Sequence, residues 1–150
     1  MPGAQSFAVE TRSPSRVVRE LEVARARVPR AVGALVFTCG AVAGELSTLG
    51  RELARAMPGL PTLLVPGAGV LSERGEIEGE SAATGMVWAG GRAEVLSVRA
   101  SSADEAGEGL ARALSDQSAQ TTPTALVFLR PEQLTPSSLE PLADARVTPH

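Results

Sequence analysis

The residues that could do chemistry in this sequence are few, and most stand at the ends of apolar runs. Thr38-Cys39-Gly40 follows one such run, Pro66-Gly67-Ala68-Gly69 a second, and Arg130-Pro131 a third. Glycines at such points let a ligand approach the backbone, whose N–H groups can hold a carboxylate. Arg130 adds a guanidinium able to grip an anion through two parallel hydrogen bonds. Thr38, Cys39, Gly40, Gly67, Ala68, Gly69 and Arg130 therefore form the candidate ligand-binding set. The competing reading is that the glycines only turn the chain and Arg130 is solvated.

Other reactive side chains are weaker candidates. Cys39 is a reactive thiol or a haem ligand in one reading and a small packed hydrophobe in the other. Met86 and Trp88 lie in an apolar run and read as core, and His150 stands at the terminus. Glu73, Glu76, Glu78 and Glu80 could surround a hard cation, but their spacing fits no calcium loop and a solvated loop is the simpler reading.

Absences prune the reaction classes. All 14 basic residues are arginine, and the sequence contains neither lysine nor asparagine. A Schiff-base lysine and a phosphate-loop lysine are excluded. There is no tyrosine, one histidine and one cysteine, which argues against a Ser-His-Asp triad and an ordinary zinc site. The expectation is no catalytic residue and no metal. Net charge is −3 and the isoelectric point near 5.2, so nucleic acid is not an expected partner. No apolar run approaches the ~20 residues that span a bilayer, so a membrane is not one either. The N-terminal residues lack a signal-peptide pattern, and a lone cysteine suits a reducing compartment, so the expected location is the cytoplasm.

The elements that must position these residues alternate between strand and helix. Residues 7–11 read as a strand, then Ser13-Pro14 opens a helix over 14–28 with Val17, Leu21, Ala24 and Val28 inward. Its arginines and glutamates read as a solvated face. Residues 33–38 form an apolar run typical of a strand buried on both faces. A helix over about 45–57 and a strand at 61–65 follow, then a polar loop from Ser72 to Glu80. Ala82–Ala89 and Arg92–Arg99 read as a hairpin around Gly90-Gly91. Ser102-Ala103-Asp104-Glu105 is a capping box for a helix over about 103–117, weakened by Gly107 and Gly109. A strand at 124–129 and a proline-interrupted helix at about 132–143 complete the chain.

Ala34-Leu35-Val36-Phe37 recurs as Ala125-Leu126-Val127-Phe128. Val9, Ser13, Leu21 and Ala24 correspond to Val98, Ser102, Leu110 and Ala113 in the same order. The expected fold is a single α/β domain: a layered, largely parallel mixed sheet flanked by helices, with one hairpin and an internal β-α-β-α repeat. The first repeat covers about 5–91 and a truncated second one about 92–150. The missing part points to a C-terminal half or a second chain that completes the sheet.

With these segments in place, the sequence resembles the FIST sensory domain family, specifically its N-terminal half. The resemblance runs from about Pro29 to Arg99. It rests on the 33–38 strand, the Met57-Pro58-Gly59-Leu60-Pro61 turn, Ala68-Gly69 with Gly75 and Gly79 downstream, and the apolar hairpin. It implies a sensory input module linked to signalling proteins and binding a small ligand, amino-acid-like or another small anion, without catalysis. Haem is the one cofactor the resemblance allows, as in a gas sensor; none is expected from the residues themselves. Pro66-Gly67 stands where the family usually carries hydroxyl residues. Two rival readings are an interaction subunit completing its sheet with another chain, and the N-terminal product of a self-cleaving precursor.

Overall fold

A computed structural model describes residues 3–72, 75–116, 126–128 and 135–144. The chain divides into two compact units, Met1–Val95 and Leu96–His150.

The first unit is built on a four-stranded sheet in the order β1-β6-β2-β3. Its strands are β1 (Ala4–Glu10), β2 (Ala31–Cys39), β3 (Thr62–Pro66) and β6 (Ala82–Ala89). The α/β class and the mixed sheet agree with the sequence pattern. β2 and β3 pair in parallel, whereas β6 is antiparallel to both β1 and β2. Three of the four strands thus run the same way, and β6 is threaded between two of them against their direction. Two of the three ladders are therefore antiparallel, which the expectation of a largely parallel sheet did not foresee.

Helices α1 (Pro14–Ala26) and α3 (Leu46–Ala56) cover one face of this sheet; α2 (Ala41–Gly44) is a single turn between β2 and α3. Side chains alternate along a strand, so Ala34 and Val36 of β2 face the helices. They join Phe7, Val9, Val87, Val17, Leu21, Leu49 and Leu53 in the main core. Leu21, Val17 and Leu49 are wholly excluded from solvent. Burying each such side chain is worth about 1.5–3 kcal/mol, so this layer dominates the unit's stability.

Two local expectations are corrected. The expected hairpin at 82–89 and 92–99 is absent, because both edges of β6 are already occupied by β1 and β2; residues 92–100 leave the sheet. Gly90 and Gly91 do adopt positive φ, 93° and 71°, as the turn reading requires. The hairpin lies instead in the segment read as a polar loop, where β4 (Gly69–Ser72) pairs antiparallel with β5 (Gly75–Glu78). Val70 and Ile77 of this hairpin pack with Cys39, Ala82 and Phe37 on the sheet face opposite the helices.

The second unit contains α4 (Ala103–Ser115) and α5 (Pro136–Asp144). Ser102 caps α4 by accepting a hydrogen bond from the Glu105 amide at 3.2 Å. The Glu105 carboxylate reaches past the cap to the Ser101 amide and hydroxyl, at 2.8 and 2.6 Å. Gly107 has a specific reason to be glycine: a Cβ there would fall on the carbonyl of Ser138 in α5. Ser138 is buried and donates its hydroxyl to Asp104 at 2.8 Å. The described part of the expected 124–129 strand, residues 126–128, is exposed and not in a strand.

Candidate functional site

Six of the seven candidate residues lie in the first unit, where β2 and β3 run parallel and end side by side. β2 delivers Thr38, Cys39 and Gly40, and β3 delivers Gly67, Ala68 and Gly69 just beyond its last residue. The two strand ends are tied directly, since the Gly67 amide donates to the Thr38 carbonyl at 2.8 Å. Arg130 and the adjacent Pro131 lie outside the described residues, as do Glu73 and His150.

The period of two in β2 divides the set. Thr38 continues the Ala34–Val36 row toward the helices, whereas Cys39 points to the opposite face with Val70 and Ala82. These neighbours in sequence cannot present their side chains to one ligand from the same side. Thr38 is 0% exposed, and its Oγ1 is a buried polar atom with no hydrogen-bond partner among the described residues. Leaving such a group unpaired costs about 1–3 kcal/mol, so this hydroxyl is the polar atom of the set with an unmet need.

Cys39 is enclosed and already engaged. Its Sγ–H lies 3.3 Å from the Glu80 carbonyl and 3.9 Å from that of Ile77. A thiol turned toward two carbonyls and closed off by Val70 and Ala82 fits a packed hydrophobe, and its environment does not fit an axial haem ligand. Met86 sits on the same face of the sheet, 42% exposed, in the middle of β6. No group of three His, Cys, Asp or Glu among the described residues is arranged to hold a metal ion.

Gly40 has φ of 62°, and a Cβ there would stand 2.5 Å from the Glu80 carbonyl oxygen. Its lack of a side chain is used for the approach of one chain segment to another, not for a ligand. Gly67 and Ala68, by contrast, are exposed beside the β2 end.

Ser81 is the organiser that the sequence reading passed over. Its hydroxyl accepts from the Val42 amide at 3.0 Å, and its carbonyl accepts from the Thr11 amide at 2.8 Å. It thereby binds the segment after β1 and the first turn after β2 to the start of β6. A serine between Glu80 and an apolar run carries no sequence mark that separates it from a loop residue.

In the second unit, Asp104, Glu108, Ser137, Glu140 and Pro141 line an open concavity of about 410 Å³. Three carboxylates make it the wrong sign for a small anion. Among the described residues no helix is long and apolar enough to cross a membrane.

The sequence profile of the FIST N domain matches residues 33–146. This stretch includes all seven candidate residues and most of the second unit. Neither the curated proteins nor the solved structures contain a match to the chain.

Proposed function

The chain belongs to the FIST N domain family, and from that premise we propose that it is a sensory module recognising a small amino-acid-like or other anionic ligand without catalysing a reaction. FIST domains are sensory domains of signalling systems. One observation carries the finer reading: the buried, unpartnered Thr38 hydroxyl at the carboxyl end of β2. Ligands of open α/β sheets bind beyond such ends, and the exposed Gly67-Ala68 segment stands next to it. Ligand and hydroxyl would complete each other's hydrogen bonding.

The test is thermal melting of the whole chain against a panel of amino acids and small carboxylates, followed by calorimetry on any that stabilise it. Thr38→Val keeps the side-chain shape and should abolish the stabilisation, while the ligand-free protein melts at the same temperature or higher. Arg130→Ala should weaken binding by about 1.5–3 kcal/mol, the value of a charged hydrogen bond. A panel without effect, or full binding by Thr38→Val, overturns the site.

A second reading, an interaction module that accepts a strand from another polypeptide, is favoured by one contrast. In β2 the sequence Ala-Leu-Val-Phe is flanked by strands on both sides. Leu126 and Val127 of the recurring tetrapeptide are exposed, Leu126 by 70%. Native mass measurement that finds two chains held together would support it.

A further inference from the structure

The outer face of α1 carries a charge pattern that the helix's own stability does not explain. Residues 12–30 contain six arginines and two glutamates, a local +4 in a chain of net −3, which leaves −7 for the rest. All six arginines are exposed. Among the described residues the only ion pair is Arg92 with Glu94, so none of the six sits against a carboxylate there. Arg16, Arg19, Val23 and Arg27 follow at spacings of three, four and four, one stripe along the helix. It lies opposite the buried row of Val17, Leu21, Ala24 and Val28.

Three details set this stripe apart from an ordinary solvated face. The first turn of α1 holds no acidic residue; Arg16 stands in that turn and Arg12 just before the cap, at the helix's positive end, where cations are disfavoured by about 0.3–1 kcal/mol. Val23, in the middle of the stripe, is 45% exposed. Arg30, just past the helix, is held at φ of 60°, a left-handed conformation that costs about 1–2 kcal/mol outside glycine.

We propose that the outer face of α1 docks an acidic segment of a partner protein, with Val23 as the apolar contact inside a frame of arginines. Arginine and buried apolar anchors are what protein interfaces favour. A phosphate backbone fits less well, because it offers no apolar group to cover Val23, which is exposed in the middle of the stripe. A lipid surface fits least, since the apolar side of α1 is already spent in the core and only one valine remains to insert.

The experiment uses the full chain and a fluorescent peptide of repeated Glu-Glu-Leu as the probe, with anisotropy at low salt and NMR shift mapping. Binding should perturb residues 12–30. It should fall about tenfold or more in Arg16→Glu/Arg19→Glu/Arg27→Glu, in keeping with the steep effect of reversing interfacial charge. The same reversal on α3, Arg51→Glu/Arg55→Glu, should change it by less than about twofold, and Val23→Ala should weaken it several-fold. Thermal melts verify that each variant is folded. The proposal is overturned by no binding, by equal loss in the α3 variant, or by unchanged affinity in Val23→Ala. Tighter binding to single-stranded DNA or to phosphatidylserine vesicles than to the peptide overturns it as well.

Discussion

Helices α1 and α4 carry the same residue types in the same order, Ser13 and Ser102 before the helix and Leu21 and Leu110 within it, yet they are held in opposite ways. α1 buries Val17, Val18, Leu21 and Ala24, while its N-cap Ser13 makes no side-chain cap and pairs its hydroxyl with Ser15 at 2.8 Å. α4 buries only Gly107, while Ser102, Asp104 and Glu105 furnish a cap and an acidic first turn. The magnitudes separate the two strategies. Four buried side chains supply several kcal/mol, whereas a cap contributes about 1 kcal/mol and a favourable first-turn charge about 0.3–1 kcal/mol. A helix packed as deeply as α1 can omit local signals and even carry arginines at the wrong end. A helix packed as lightly as α4 cannot, so its sequence spells its start out in full.

The largest effect expected from this contrast is in the apolar row. Leu21→Ala should cost about 3–5 kcal/mol, as removal of a wholly buried leucine does. Leu110→Ala, at the corresponding half-buried position, should cost about 1–2 kcal/mol because less surface leaves water on folding. Urea denaturation of both variants measures the pair. Equal costs would break the contrast, since α4 would then be packed in solution as deeply as α1.

Next in size is Gly107→Ala. In an open helix this change stabilises by about 1 kcal/mol. Here the new Cβ falls on the Ser138 carbonyl, a backbone group that cannot swing aside, and overpacking costs about 1–3 kcal/mol. A net loss of about 1–2 kcal/mol is expected by thermal melting. A gain would show that α5 does not pack on Gly107, and α4 would stand on its caps alone.

How much of this was readable in advance follows the same physics. Residues 33–38 and the capping box were legible because each signal is local: an apolar run in one case, Ser and Glu three apart in the other. The β4–β5 hairpin escaped because its period-two mark is short, Ile77 between Glu76 and Glu78, inside a stretch dominated by charge. The hairpin expected at 92–99 failed for a nonlocal reason. Alternation marks β6 as a strand but does not say which strands will take its edges, and β1 and β2, far away in sequence, took both. At the candidate site, the opposite facing of Thr38 and Cys39 was implicit in the strand period. The use of Gly40 against Glu80 was not, because it depends on a contact between segments forty residues apart.

The smallest effects test the local half of the contrast. Ser102→Ala should cost about 1 kcal/mol, because it removes an acceptor for an orphan amide. Ser13→Ala should cost a few tenths, because no such bond exists at α1. Glu105 adds a pH signature. Hydrogen bonds from the Ser101 hydroxyl, and then from its amide, lower the Glu105 pKa from the ordinary carboxylate value. A depressed folded-state value means the unfolded chain takes up its proton first as acid is added. The contribution is therefore complete above the ordinary carboxylate range and is lost as pH falls through the lowered value. Glu105→Gln should flatten the acid limb of the α4 helix signal, followed by NMR of residues 101–116, and leave the α1 limb unchanged. An acid limb that persists in Glu105→Gln would show that the acid response of α4 does not come through its cap. The pH signature would then be withdrawn from the contrast, and Ser102→Ala against Ser13→Ala would remain its local test.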